Sequence, residues 1–170
     1  RAGVELHMND YCRRAVRTGC ELALASKGTC TAITLGPPEA DSVLREAILC
    51  GCARGLHVSD PAFAGSDTLA TATALATALD RHGPWDLVLC GRYSIDADTG
   101  QVPAQLAELL SLPLLIGVRE LTVDGEEVAA LLEHNDEWIR ARVGLPAVLS
   151  CAERLCDPCK IKEPEAWATV

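Results

Sequence analysis

The stretch Asp86–Leu110, DLVLCGRYSIDADTGQVPAQLAELL, decides the fold. Asp86 to Cys90 is a short apolar run of strand type, a polar loop with two aspartates follows, and a helix opens near Val102. That order puts the loop and a helix start at the carboxyl end of a strand, where open α/β sheets bind ligands. Backbone N–H groups exposed at such a helix start can hold a phosphate. The segment points first to a nucleotide site.

Within the loop, Gly91 lets the backbone turn at the strand end. Asp96 and Asp98 can brace the loop through side-chain-to-backbone bonds or hold a ribose hydroxyl. Gly100 allows a ligand to approach closely, and the Gln101 amide can both donate and accept. Val102-Pro103 suits a helix start. No glycine-rich fingerprint is present, so the residues by themselves fit a nucleotide site and a well-capped surface turn equally.

On the N-terminal side the chain alternates between helix and strand. A helix is predicted from an Asn9 or Asp10 cap to about Ala25, with Gly28 suited to a left-handed stop. Thr31 to Leu35 reads as a strand closed by Gly36-Pro37-Pro38, and Glu39 to Cys50 as a helix. Gly55 to Val58 is a brief strand, and Asp67 to Arg81 a helix capped by Ser66 or Asp67 and ending near Gly83-Pro84. Short β-to-α connections of this kind imply an α/β fold, a three-layer Rossmann-like and mostly parallel sheet with helices on both faces. Such a domain ordinarily opens with an apolar strand, and RAGVELHMND contains none, so the first strand is expected to be missing from this chain, with an unusually small sheet as the alternative.

Beyond Pro113 the pattern changes to a β-hairpin region. Leu114 to Val123, Glu127 to Glu133 and Trp138 to Val143 read as strands, with Asp124-Gly125 as a hairpin turn. Pro146 to Cys151 is a further buried strand. The division expected is one domain over residues 1–156 and an arm over 157–170, in which Trp167 is either a partner anchor or a residue packing back onto the domain.

A chain of 170 residues with 49% hydrophobic content can bury one sizeable core. A net charge of −9 argues against nucleic acid as a partner, because phosphate binding needs a basic face. No apolar run is long enough for a membrane span and no leader is visible, so a cytoplasmic protein is expected. The nine cysteines are odd in number, and Cys90 and Cys151 lie in apolar runs where a thiol serves as a small hydrophobe. Cys156 and Cys159 form one C-x-x-C near Cys151, but no second pair completes a metal set, and Cys50-Gly51-Cys52 has the wrong spacing. No metal site is expected. The histidines His7, His57, His82 and His134 lack clustered partners, and Glu133, Asp136 and Glu137 read as a solvated hairpin tip. With no nucleophile and base in any known pattern, the chain does not read as an enzyme in its own right.

Gly91 to Pro103, GRYSIDADTGQVP, resembles the nucleotide-binding loop of the electron transfer flavoprotein β subunit, whose pattern is close to G-K-Q-x-I-D-x-D-x-x-Q-[TV]-[GP] after a D-L-V-L strand. His7-Met8-Asn9 with Cys12 in register, Ile33 to Pro37 and Leu145 to Val148 are similar to further segments of that family, and Ala152 to Pro158 takes the place of another. The resemblance covers most of the chain. It implies a heterodimer with an α subunit that carries the redox-active FAD, and electron flow from an acyl-CoA or other dehydrogenase to a quinone oxidoreductase or another acceptor. It also implies a nucleotide in this chain, AMP in ordinary members or a second FAD in the electron-bifurcating group. Asp98-Thr99, Gln101-Val102 and Gln105 to Glu108 look more like the second group, whereas Ala97 and Pro103-Ala104 depart from it; both nucleotides stay open. The pocket residues implied are Asn9, Leu35, Gly36, Gly91, Ser94, Asp96, Asp98, Thr99, Gly100, Gln101 and Val102. The rival readings are a stand-alone universal-stress-like adenine-nucleotide module and an ATP pyrophosphatase, whose respective phosphate loops are missing.

Overall fold

The computed structural model describes residues 6–94, 98–135 and 137–161. Helix α1 (Asp10–Ser26) starts at Asn9, whose Oδ1 accepts the Tyr11 N–H at 2.8 Å. It ends one residue earlier than Gly28 suggested. Lys27 takes the left-handed conformation (φ 58°), and the N–H of Gly28 reaches the Ala23 carbonyl at 2.8 Å. That bond, with Lys27 N–H on the Leu24 carbonyl, fixes Lys27 as the reversing residue despite its side chain.

Strand β1 (Thr31–Leu35) pairs in parallel with β2 (Arg54–Val58). Between them the predicted helix over 39–50 divides into a 3-10 turn, Pro38–Ala40, and α2 (Asp41–Leu49). Proline at the start of the turn supplies the tight entry without needing an N–H. Asp67 caps α3 (Thr68–His82) by accepting from Ala70 N–H at 2.8 Å. Then come β3 (Leu87–Gly91) and α4 (Val102–Leu110).

The remaining strands are β4 (Leu114–Asp124), β5 (Glu127–His134), β6 (Glu137–Gly144) and β7 (Ala147–Cys151). They join β3 in a second sheet of order β3-β7-β4-β5-β6, parallel through β3, β7 and β4 and antiparallel beyond. Asp124 pairs with Glu127, so the hairpin loop is Gly125-Glu126, one residue later than the Asp-Gly reading. Gly125 takes its positive φ (60°).

Alternation along the strands sorts the layers. Val148 of β7 and Ile33 of β1 face α3 and α4, in a core of Ala72, Ala76, Leu79, Leu106 and Ala107. Ala147 and Leu149 turn the other way, onto Leu115, Val118, Val128 and Ala130. Ala32 of β1 faces a third cluster built from α1 and α2: Met8, Ala47 and Cys52, with Cys12, Val16, Cys20, Cys30 and Val43 around them. Helices therefore cover both faces. All five residues of β7 are buried, which accounts for its uninterrupted apolar sequence.

Beyond β7 the chain lies along α1. Arg13, Arg14 and Arg17 donate to the backbone carbonyls of Cys159, Cys156 and Asp157 at 3.3, 3.1 and 3.3 Å. No helix among the described residues is long and apolar enough to cross a membrane.

Candidate nucleotide site

The carboxyl end of β3 runs directly against the start of α1. A Cβ on Gly91 would stand 2.9 Å from Tyr11 Cβ and 3.1 Å from both the backbone nitrogen and the sulfur of Cys12. Only glycine lets the strand end and the helix start approach so closely. Asn9 fastens the contact: while its Oδ1 caps α1, its Nδ2 donates to the Tyr93 carbonyl at 2.8 Å. The Tyr11 and Tyr93 rings meet edge to face, 5.8 Å between centroids.

Past Tyr93, Ser94 Oγ accepts the Asp98 N–H at 3.3 Å, and Asp98 sits in the left-handed region at φ 50°. Gly100 (φ 62°) packs against the Tyr93 ring, where a Cβ would come within 3.0 Å of Cε1. Thr99 Oγ1 lies 3.5 Å from the Gln101 N–H. Gln101 precedes α4 without capping it by its side chain, so the N–H groups of the first turn are not taken up by their N-cap residue. Asp96 lies outside the described residues.

A second chain of bonds joins α4 to α3. Thr68 Oγ1 donates to Gln101 Oε1 at 3.1 Å and accepts from Gln105 Nε2 at 3.2 Å. Gln105 Oε1 is buried with no partner, and so is Nε of Arg92, whose guanidinium lies 5.2 Å above the Tyr93 ring. Unsatisfied buried polar atoms of this kind call for a partner of complementary polarity.

The expected pocket residues thus fall into two groups. Asn9, Gly91, Ser94, Asp98, Thr99, Gly100 and Gln101 belong to one connected loop system between β3, α1 and α4. Val102 opens α4 but packs its side chain toward the α3–α4 core. Leu35 and Gly36 close β1, where Gly36 N–H bonds to the Val58 carbonyl at 3.1 Å and His57 Nε2 lies 3.2 Å from the Gly36 carbonyl.

Two concavities flank these groups. The larger, about 810 Å³, is an open groove along α3 beside β2, where small alanine and threonine side chains of α3 lie between His57, Arg81 and His82. The smaller, about 280 Å³, lies at the loop itself, between Tyr11, Arg92, Tyr93, Glu133, Glu153 and Arg154. The Arg92 nitrogen that lacks a partner belongs to the smaller concavity, on the loop side. Glu133, expected at a solvated tip, is half-buried and paired to Arg119 at 3.1 Å, since the bulge at Gly117 (φ 72°) draws β4 against it.

The thiols beside the loop are inert. Burial raises the Cys12 thiol, against an opposing hydrogen bond from the Gly91 backbone, and pushes Cys90 up to about 12. Both stay protonated near neutrality, as small hydrophobes do.

The electron transfer flavoprotein domain matches residues 1–169. The chain belongs to the electron transfer flavoprotein family. It is 34% identical to an electron transfer flavoprotein subunit beta of Thermoanaerobacterium thermosaccharolyticum over 93% of its own length and 60% of the relative's. A protein of the same name from Megasphaera elsdenii is 33% identical, over 93% of this chain and 61% of that one. A caffeyl-CoA reductase–Etf complex subunit, CarD, of Acetobacterium woodii is 36% identical over 74% of this chain and 48% of the relative. The chain spans about half to three fifths of the length of these curated relatives.

In this electron transfer flavoprotein domain, sequence reading missed Tyr11, Thr68, Arg92 and Gln105. Thr68 and Gln105 sit inside regular helical patterns, where nothing in the spacing marks a polar bridge between two helix starts. Arg92 was legible only as a cation following the strand.

Proposed function

We propose that the chain acts as a β-type electron transfer flavoprotein subunit that binds an adenine nucleotide, AMP or FAD, at the loop after β3. The observation that carries this reading is the orphaned Arg92 nitrogen beside a loop already fixed at both ends, by Asn9 on α1 and by Thr68 on α3. A nucleotide fits what is there: the start of α4 offers N–H groups that the Gln101 side chain does not cap, and Arg92 offers positive charge beside the loop.

When bound, FAD supplies the redox chemistry, and the chain supplies position. Asn9 orients the strand end by holding the Tyr93 carbonyl. Gln101 and Gln105, clamped by Thr68, set the direction of the α4 N-terminus toward a phosphate. Tyr11 and Tyr93 form an aromatic wall that excludes water from one side. No group here needs to take or give a proton, which agrees with a carrier rather than a catalyst. An α-type subunit completes the FAD site in this reading, a dehydrogenase donates, and a quinone-linked or other oxidoreductase accepts.

The test is coexpression with the neighbouring gene, followed by denaturation of the purified complex and mass spectrometry of the released nucleotides. One FAD with AMP supports a simple shuttle, and two FAD support bifurcation. The double variant Asp96→Ala, Gln101→Ala is expected to release the nucleotide of this chain and weaken assembly. Unchanged nucleotide content in that variant would overturn the assignment; a chain with neither partner nor flavin is a plain nucleotide-binding module.

A further inference from the structure

Three cysteines far apart in sequence bring their sulfurs together on the face of the fold opposite α3 and α4. Cys20 comes from the middle of α1, Cys30 from the residue before β1, and Cys52 from the turn between α2 and β2. Cys52 Sγ stands 3.8 Å from Cys20 Sγ and 3.5 Å from Cys30 Sγ, and all three lie within 4.8 Å of one another. Four sulfurs held tetrahedrally around zinc at the usual bond length are separated by about 3.8 Å. All nine cysteines of the chain are free thiols, so no disulfide consumes these.

The surroundings are cleared for the trio. Gly19 faces Cys30, and a Cβ there would stand 3.0 Å from its sulfur. Gly51 carries φ 119°, a conformation reserved for glycine, and a Cβ on it would only touch Cys20 Sγ at ordinary contact distance. The turn at Gly51 is what points Cys52 inward while Cys50 engages Cys159. Cys52 is buried and the other two are half-buried, which leaves an approach for an ion from solvent.

We propose that Cys20, Cys30 and Cys52 form a zinc site with three protein thiolates and a fourth position open to water. Each thiol gives its proton to solvent as its sulfur ligates, so zinc uptake is accompanied by proton release. Bound zinc ties α1, the start of β1 and the α2–β2 turn into one unit, independently of any nucleotide.

The experiment uses the full chain, purified under reducing conditions with any subunit that accompanies it, and loaded with zinc. Bound metal is measured by elemental mass spectrometry. Cobalt replaces zinc as a spectroscopic probe, since thiolate ligation gives an intense near-ultraviolet charge-transfer band. About one equivalent of zinc is expected, with loss of both metal and cobalt band in Cys52→Ser and in Cys30→Ser. Cys156→Ser, outside the trio, is expected to keep both. Gly19→Ala tests the clearance without removing a sulfur and is expected to weaken binding; circular dichroism checks that each variant is folded. A chain that stays metal-free after zinc loading, with three freely titrating thiols, overturns the proposal. Neither outcome touches the nucleotide reading, because the readout contains no flavin.

Discussion

The Arg13 guanidinium on α1 and the Glu46 carboxylate on α2 are ion-paired in a place almost sealed from solvent, with side-chain exposures of 11% and 2%. Arg13 also donates to the Met8 carbonyl at 3.1 Å and to the Cys159 carbonyl at 3.3 Å, so one cation holds α2, the entry to α1 and the C-terminal strap. Glu46 keeps one oxygen without a hydrogen-bond partner. Removing either charge strands the other in a poorly solvated site. Glu46→Ala is expected to cost about 3–5 kcal/mol, measured by denaturant unfolding. A double-mutant cycle with Arg13→Met should recover a good part of that loss; additive losses would mean that the pair is not coupled.

Gly91→Ala places a methyl group against Tyr11 Cβ and the Cys12 backbone nitrogen. A backbone atom cannot rotate away, so α1 or the strand end must move, at about 1–3 kcal/mol. The nucleotide content of the purified complex should fall with it. Gly144→Ala serves as the control, since a Cβ there has only the Glu126 carbonyl at 3.9 Å for company.

Thr68→Val breaks both hydrogen bonds that link α3 to α4, leaving the amides of Gln101 and Gln105 without their shared hydroxyl. The variant is expected to lose about 1–3 kcal/mol and to dissociate its nucleotide faster. Stopped-flow displacement by a fluorescent adenine nucleotide reads the second effect; an unchanged off-rate would place the bridge outside the site.

Cys159 should alkylate at unusually low pH. A hydrogen bond from Cys50 and the positive charge of Arg13 favour its thiolate and bring it down to about 7 from an ordinary 9.0. Because the folded value is depressed, its contribution to stability is fully present above pH 9.0 and is lost as pH falls through about 7. Peptide-resolved iodoacetamide labelling of the native chain should reach half its maximal rate near pH 7, against about pH 9 for the unfolded chain. Arg13→Gln should move the native midpoint upward.

Leu149→Ala removes the largest fully buried side chain, from the middle of a strand that touches two neighbours. The expected loss is about 2–5 kcal/mol in equilibrium unfolding. A smaller loss would mean that the facing side chains collapse into the space.

Much of the architecture was legible because it is local. Asn9 and Asp67 cap the helices as their side chains dictate, and the α4 boundaries follow from Val102-Pro103 and the end of the apolar run at Leu110. The departures have long-range or competing causes. Lys27 rather than Gly28 reverses at the end of α1 because two carbonyls choose the residue, and Pro38 turns the head of the second helix into a 3-10 turn. The thiol trio was invisible because Cys20, Cys30 and Cys52 share no motif spacing; only the packing of α1 and α2 over β1 brings them together. The loop was legible as a loop, but its supports at Thr68 and Gln105 come from helical positions with no mark of their own.

Strand β7 lies between β3 and β4, although β4, β5 and β6 precede it in the chain. The central sheet therefore cannot close in the order in which it is synthesised. Until residues 147–151 leave the ribosome, β3 and β4 each lack the neighbour that pairs with their facing edges. Those edges are apolar and open in the nascent chain, the condition under which strands join the wrong partner. The β4–β5–β6 meander can form early from local contacts, while insertion of β7 is non-local and slow. A nascent chain of this topology depends on β7 arriving before a stray strand does, so its folding yield is expected to respond to translation speed and chaperone supply as well as to the stability of the finished fold.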